Sequence, residues 1–101
     1  MSSMRELLVK NRRLAFLRFL ADAPGYNLNT SVMQSALAAI GHGVSRDVVD
    51  GDAAWLAEQG LVTLERLELA PITVCTITTR GSDVASGVAS HPGVDRPQPR
   101  G

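Results

Sequence analysis

The chain has 101 residues, which is enough for one small domain with a single core. Its apolar fraction is 45% but its aromatic fraction is only 4%, so that core must be built mainly from aliphatic side chains. Ten basic residues balance ten acidic ones, and this excludes the overall positive charge that is usual in nucleic-acid-binding domains.

The cysteine count and the hydropathy exclude further classes of protein. Cys75 has no second cysteine to pair with, so an intrachain disulfide and a cysteine zinc cluster are excluded. Its position in an alternating strand pattern predicts a buried, inert thiol. No apolar run reaches the ~18 to 20 residues of a membrane helix, and the first residues lack the apolar core of a signal peptide. We therefore expect a soluble cytoplasmic protein that does not bind a membrane.

Charge is distributed unevenly along the chain. Five basic residues lie from Arg5 to Arg18, together with the single acid Glu6. The stretch from Asp47 to Glu58 contains four acids and no base. The folded domain is therefore expected to be polarised, although its net charge is zero.

The first forty residues predict two helices. Residues 4–23 carry apolar side chains at helical spacing, namely Leu7, Leu8, Leu14, Leu17 and Ala21, and Ser2 or Ser3 can cap the helix start. After a connector containing Leu28, the second helix is predicted at 30–40, with a buried face made of Val32, Met33, Ala36, Leu37 and Ile40. Gly41 and Gly43, on either side of His42, allow the tight turn that follows.

The third helix is predicted at 46–58. Ser45 is a strong candidate for its N-cap, and Gly60 ends it. The side chains expected to point inward are Val48, Ala53 or Asp52, Trp55 and Leu56. Gly51 costs ~1 kcal/mol in a helix interior, which suggests either a close backbone approach or an exposed, tolerant position.

The remaining residues predict a hairpin, a short helix and a tail. Strands at 61–67 and 72–78 are joined by a short connector, so they form a two-stranded wing. A short helix follows at about 82–88. The proline-rich residues 89–101 form a separate tail, read as a flexible end, as an arm across a partner subunit, or as a segment following a DNA backbone through Arg96 and Arg100.

This order of elements over 4–88 resembles the winged-helix superfamily, an α+β fold with a helix-turn-helix. The likeness rests on the Ser45-capped helix, on the junction at 55–62, and on 77–84, which looks like the LT-x-x-G exit after a wing. With its tail at 91–99, the whole chain resembles small proteins of Mu-like phages and prophages that are often labelled ArsR-like transcriptional regulators. The resemblance implies DNA binding in a bacterial host cell. No metal site is carried over, because the cysteine pair of metal sensors is missing and the two histidines lie far apart in sequence.

On this reading, helix 45–59 enters the DNA groove and 61–78 is the wing. The predicted contact residues are Ser45, Arg46, Val49 and Asp50 on the helix, Arg66 on the wing, Arg80 near its base, and Lys10 and Arg13 on the first helix. A homodimer would double these contacts. The alternative is a protein-binding adaptor that presents its acidic helix to a basic partner. No catalytic arrangement, phosphate-binding loop, cofactor motif or metal-ligand cluster is recognisable, so an enzyme is not expected.

Overall fold

The structure is a computed structural model that describes residues 3–98. The alternative cap Ser2 and the tail residue Arg100 lie outside this range. In chain order the elements are α1 (Met4–Asp22), a 3-10 turn (Pro24–Tyr26), β1 (Asn27–Asn29), α2 (Thr30–Ala39), α3 (Arg46–Glu58), β2 (Val62–Arg66), β3 (Thr73–Ile77) and α4 (Thr79–Ser86). This α+β order is compatible with a winged-helix-like fold. No helix within the described range is long and apolar enough to cross a membrane.

Side-chain caps set the helix starts. The side chains of Ser3, Asn29 and Ser45 each accept a hydrogen bond from a backbone N–H in the first turn of α1, α2 and α3. The caps at Ser3 and Ser45 confirm the sequence prediction. Thr78 caps α4 in the same way, so that helix begins at Thr79, three residues earlier than predicted. Its last residue is Ser86, and the C-cap is Gly87, which has a left-handed φ of 88°.

The sheet has three antiparallel strands in the order β1-β3-β2. The sequence predicted the β2–β3 hairpin but not β1, because β1 is only three residues long and carries a single apolar side chain, Leu28. Cys75 on the central strand pairs with Leu28 on one side and Leu64 on the other. Its side chain is fully buried, as predicted.

One apolar core lies between the helices and the sheet. Its fully buried large side chains are Phe16, Leu17, Leu20, Met33, Leu37, Val49, Leu56, Leu61 and Cys75. Val32, Ile40 and Val48 were predicted to face inward and are instead substantially exposed, as are Leu7 and Leu8 of the apolar stripe on α1. These predictions were wrong because the apolar stripes on the helices are wider than the faces that pack against other elements.

The proline-rich segment packs against the domain through residue 95. Val94 is only 4% exposed and belongs to the core, and Ala89 packs against it. The backbone N–H of Asp95 donates to the carbonyl oxygen of Lys10 on α1 at 3.1 Å. Residues 89–95 thus lie against their own domain, because an apolar side chain is buried in a stretch that otherwise looks polar. The readings of residues 89–101 as a flexible end, an arm across a partner subunit or a segment along a DNA backbone stay predictions.

Candidate nucleic-acid interface

A groove between α3 and the hairpin brings together three of the predicted contact residues. Arg46 and Asp50 on α3 and Arg66 on β2 line this groove, which has a volume of about 270 Å³. The groove is also lined by Pro71, just before β3, and by Thr73, the first residue of β3. Sequence reasoning placed these residues on one helix and one wing, and the fold brings the two elements face to face.

The Arg46 side chain is held by α2. Its Nε donates to Gln34 Oε1 at 3.0 Å, and Gln34 Nε2 donates to the carbonyl oxygen of Val44 at 3.1 Å. Gln34 therefore connects α2, the turn and the first residue of α3, and it fixes the direction in which Arg46 points. Ser45 lies next to this bridge and is exposed. Its hydroxyl oxygen accepts a hydrogen bond from the backbone N–H of Val48 and so caps α3.

Val49 was predicted on the exposed face of α3, and this placement is wrong. Its side chain is 0% exposed and belongs to the core. The buried residues of α3 are Val49, Asp52, Ala53 and Leu56, at the spacing of a single helix face. Val49 cannot touch DNA unless the core opens.

The acids of α3 fall into two groups. Asp47, Asp50 and Glu58 are exposed, whereas Asp52 is only 5% exposed. Asp52 forms a bidentate ion pair with Arg12 on α1, in which Arg12 Nη2 lies 3.0 Å from Asp52 Oδ1. One of the four acids is therefore neutralised by a residue 40 positions away, a distance at which sequence periodicity gives no signal.

The other predicted cations lie outside the groove, around the C-terminal segment. Arg13 Nη1 donates to the carbonyl oxygen of Gly93 at 3.0 Å, and its guanidinium lies 3.7 Å from the centroid of the Trp55 ring. Lys10 is partly buried and lines a shallow depression beside the same segment. Arg80 on α4 is exposed, and its positive charge contributes to lowering the pKa of His91. The predicted site is therefore divided into two separate surfaces.

Trp55, Arg13, Gly93 and His91 form a contact set that we call the clasp. Trp55 is partly exposed rather than a core residue, and the rings of Trp55 and His91 meet edge to face at 5.3 Å. A Cβ atom at Gly93 would lie only 2.5 Å from Trp55 Cη2, so this position has room only for glycine. The clasp fastens the C-terminal segment to α1 and α3.

Both ring nitrogens of His91 are hydrogen-bonded. Its Nδ1 accepts a hydrogen bond from the backbone N–H of Gly93 at 2.9 Å, so the ring proton lies on Nε2, which donates to Gln59 Oε1 at 2.9 Å. Burial, then the charges of Arg80 and Arg13, lower the pKa of His91. Both observations favour the neutral ring.

Metal-ligand chemistry has no geometric support in residues 3–98. No group of three or more His, Cys, Asp or Glu side chains in that range is placed to hold a metal ion. The Nε2 atom of His42, in the turn between α2 and α3, lies 2.8 Å from Oδ1 of Asn11.

The chain is similar to known phage and bacterial proteins. The chain is 50% identical over 97 residues to the uncharacterized protein gp26 of Escherichia phage Mu, and the match covers 96% of this chain and 98% of gp26. It is also 46% identical over 66 residues to an uncharacterized protein of Haemophilus influenzae, covering 65% of this chain and 64% of that protein. No protein-family profile and no solved structure matches the chain.

Proposed function

Since the chain belongs to the family of phage Mu gp26, we propose that it is a phage-type winged-helix protein that binds double-stranded DNA and regulates transcription. The order α1-β1-α2-α3-β2-β3 supports the winged-helix assignment. In that arrangement α3 is the recognition helix and the β2–β3 hairpin is the wing.

The observation that carries the proposal is the position of Arg46 and Arg66. They come from α3 and β2 and line the same groove. Cations from the recognition helix and the wing would meet the phosphates on either side of a DNA groove, while Arg46 lies close enough to the helix N-terminus to reach base edges.

The charge of this surface predicts weak binding by one copy. Phosphate contacts supply much of the affinity for DNA, and here two arginines stand among the exposed acids Asp47, Asp50 and Glu65. The proposal therefore includes a homodimer, in which two copies of α3 contact two half-sites and the number of phosphate contacts doubles.

The test is a mobility-shift titration with DNA from the gene's own neighbourhood, at low and moderate salt with non-specific competitor. Arg46→Ala should weaken specific binding by about 1–3 kcal/mol. Gln34→Ala is the matched variant, because it leaves the cation in place but removes the bridge that orients it. It should weaken specific binding while leaving the salt dependence unchanged.

Charge addition tests whether the groove itself faces DNA. Asp50→Lys and Glu58→Lys make the same change in net charge on the same helix, but only Asp50 lines the groove. Asp50→Lys should raise non-specific affinity and steepen its salt dependence more than Glu58→Lys. Equal effects of the two variants, or unchanged DNA binding in Arg46→Ala, would rule out the placement of α3 in the DNA groove.

A second candidate function is favoured by the acids of α3. Asp47, Asp50 and Glu58 are exposed on one helix, and this surface suits a basic protein partner better than a phosphate backbone. In this alternative the protein is a non-enzymatic adaptor on the same scaffold. It predicts no DNA retention even at low salt, together with a partner whose binding is lost in Asp50→Lys.

A further inference from the structure

Residues 89–95, which we call the strap, lie over a cationic and aromatic part of the domain. The strap contacts Arg13 and Trp55 through the clasp, and it lines a shallow depression together with Lys10. Lys10 and Arg13 are three residues apart on α1, so their side chains share one face of that helix. Both cations are partly buried. The strap therefore covers two of the basic residues that were predicted to contact nucleic acid.

The strap turns oxygen atoms toward the hydrogen-bond donors of α1. The carbonyl oxygen of Gly93 accepts from Arg13 Nη1 at 3.0 Å, and Oδ2 of Asp95 accepts from Asn11 Nδ2 at 3.4 Å. Phosphate oxygens of a nucleic acid accept hydrogen bonds from the same kinds of side chain. The strap and a phosphate backbone would therefore compete for the same donors.

The strap does not satisfy every donor of the guanidinium that it covers. Arg13 Nε is buried and has no hydrogen-bond partner among residues 3–98. A buried donor without a partner is costly, and this cost is removed when the donor meets water or a phosphate oxygen. The docked strap is therefore not the best environment for this cation.

Few contacts hold the strap in place. The described residues 89–95 include no helix or strand, and Val94 is the buried side chain among them. The backbone N–H of Ala89 donates to the carbonyl oxygen of Asp83 at one end, and that of Asp95 donates to Lys10 at the other. Segments with few buried apolar contacts open locally at a lower free energy than the whole domain. The strap can therefore lift while the helices and the sheet stay folded.

We propose that the strap is an autoinhibitory element, and that it covers a surface of Lys10, Arg13 and Trp55 that binds single-stranded nucleic acid. When the strap lifts, the two cations meet phosphates, and the indole ring, released from Gly93 and His91, stacks on a base. The ring selects a single strand, because the bases of a duplex are already stacked on one another and are not available to it.

The covered surface is separate from the groove of the proposed function. It lies on α1 and on Trp55, whereas Arg46 and Arg66 line the groove between α3 and the hairpin. Binding of a single strand without retention of duplex DNA would support the strap and leave the proposed function without support. Retention of duplex DNA alone would overturn the strap and leave the proposed function standing.

The test is fluorescence anisotropy of a labelled oligothymidylate of about twelve nucleotides with the full chain. Gly93→Ala should lift the strap, because the added Cβ would lie 2.5 Å from Trp55 Cη2, and it should bind about five- to tenfold more tightly than the wild-type protein. His91→Ala removes the edge contact without adding a clash and should also bind more tightly. Ser90→Ala changes an exposed side chain of the strap and is the matched control with wild-type affinity. Faster hydrogen exchange of the Asp95 amide reports that the strap has lifted.

Second substitutions identify the surface that is uncovered. In the Gly93→Ala background, Arg13→Ala and Lys10→Ala should each remove most of the gain in affinity, because each removes a phosphate contact. Arg5→Ala removes an exposed cation from the start of the same helix and should keep the gain. Trp55 is the single tryptophan of the chain, so the oligonucleotide should quench the fluorescence of the opened variants.

Two results would overturn the proposal. The first is a single-strand affinity equal to that of the wild-type protein in both Gly93→Ala and His91→Ala, although their Asp95 exchange is faster. The second is an equal gain in affinity for a duplex of the same length, which would show that the uncovered surface binds phosphates without stacking on a base.

Discussion

The guanidinium of Arg13 lies 3.7 Å from the centroid of the Trp55 ring, and its Nη1 atom also donates to the carbonyl oxygen of Gly93. Arg13 Nε is buried and has no hydrogen-bond partner among residues 3–98. The cation–π contact with the indole ring therefore stabilises this part of the guanidinium. One side chain of α1 thus joins α3 to the C-terminal segment. A cation that sequence patterning assigned to a phosphate is engaged within its own domain.

Arg13→Ala should loosen the C-terminal segment. The loss of one cation–π contact and one hydrogen bond predicts a decrease of about 1–3 kcal/mol in the free energy of unfolding. Hydrogen exchange at the amide of Asp95 should become faster, because its hydrogen bond to the carbonyl oxygen of Lys10 forms only while the segment lies against α1. Arg96→Ala removes a cation from the same segment without touching the clasp and should leave the Asp95 rate unchanged. Unchanged exchange in Arg13→Ala would contradict the clasp.

The clasp should weaken in acid. Burial and two arginines lower the pKa of His91 in the folded protein, so the unfolded chain binds the proton more readily. The contribution of the neutral ring is therefore fully present above the ordinary histidine pKa of about 6.5, and it is lost as the pH falls from there through the lower folded pKa. Exchange of the Asp95 amide, corrected for its intrinsic rate, should accelerate over this window in the wild-type protein.

The control for this pH dependence is His91→Gln, which cannot take up a proton in that range. Its Asp95 exchange should be faster than the wild-type rate at neutral pH and nearly flat with pH. A wild-type profile as flat as that of the variant would mean that His91 does not titrate against the clasp.

Cys75 should be unreactive in the native state. Burial is the main cause that raises the pKa of its thiol to about 11, so little thiolate forms near neutral pH. A thiol reagent should modify the protein at the rate of global unfolding, and modification should speed up in denaturant along with the unfolding transition. Rapid modification in buffer alone would show that the central strand opens locally.

The helices could be predicted from sequence because their boundaries are local. Ser3, Asn29 and Ser45 bond to backbone groups three residues away, so the signal lies within one turn. The hairpin was predictable for a similar reason, since its two strands are neighbours in sequence. β1 was not, because its three residues form a strand only through their pairing with β3, more than forty positions away.

The candidate site was predicted only in part, because side-chain partners are not local. Arg46, Asp50 and Arg66 do line one groove, but Arg13 is engaged by Trp55 and Gly93. Val49 was misplaced because Val48 and Val49 are both apolar, so helical spacing alone does not decide which of the two faces the core. Tertiary packing determines which side chain faces the core and which partner it contacts, and neither composition nor periodicity predicts this packing.

The two glycines within helices α3 and α4 should respond oppositely to alanine. Gly81 on α4 is buried, and a Cβ atom there would clash with the carbonyl oxygen of Leu61 and lie 2.9 Å from Ile77 Cγ1. Gly81→Ala should therefore lower the free energy of unfolding by about 1–3 kcal/mol, because the start of α4 must move away from Leu61, which lies between α3 and β2.

Gly51→Ala is the matched control for this prediction. Nothing lies within 4 Å of a Cβ atom at Gly51, so the glycine is an exposed, tolerant position and not a close backbone approach. Alanine should raise the free energy of unfolding by up to about 1 kcal/mol, because it lowers the entropy lost when the helix forms. The free energy of unfolding of each variant would be measured by urea denaturation and compared with that of the wild-type protein. A Gly81→Ala variant as stable as Gly51→Ala would show that α4 does not pack against Leu61 as closely as the structure places it.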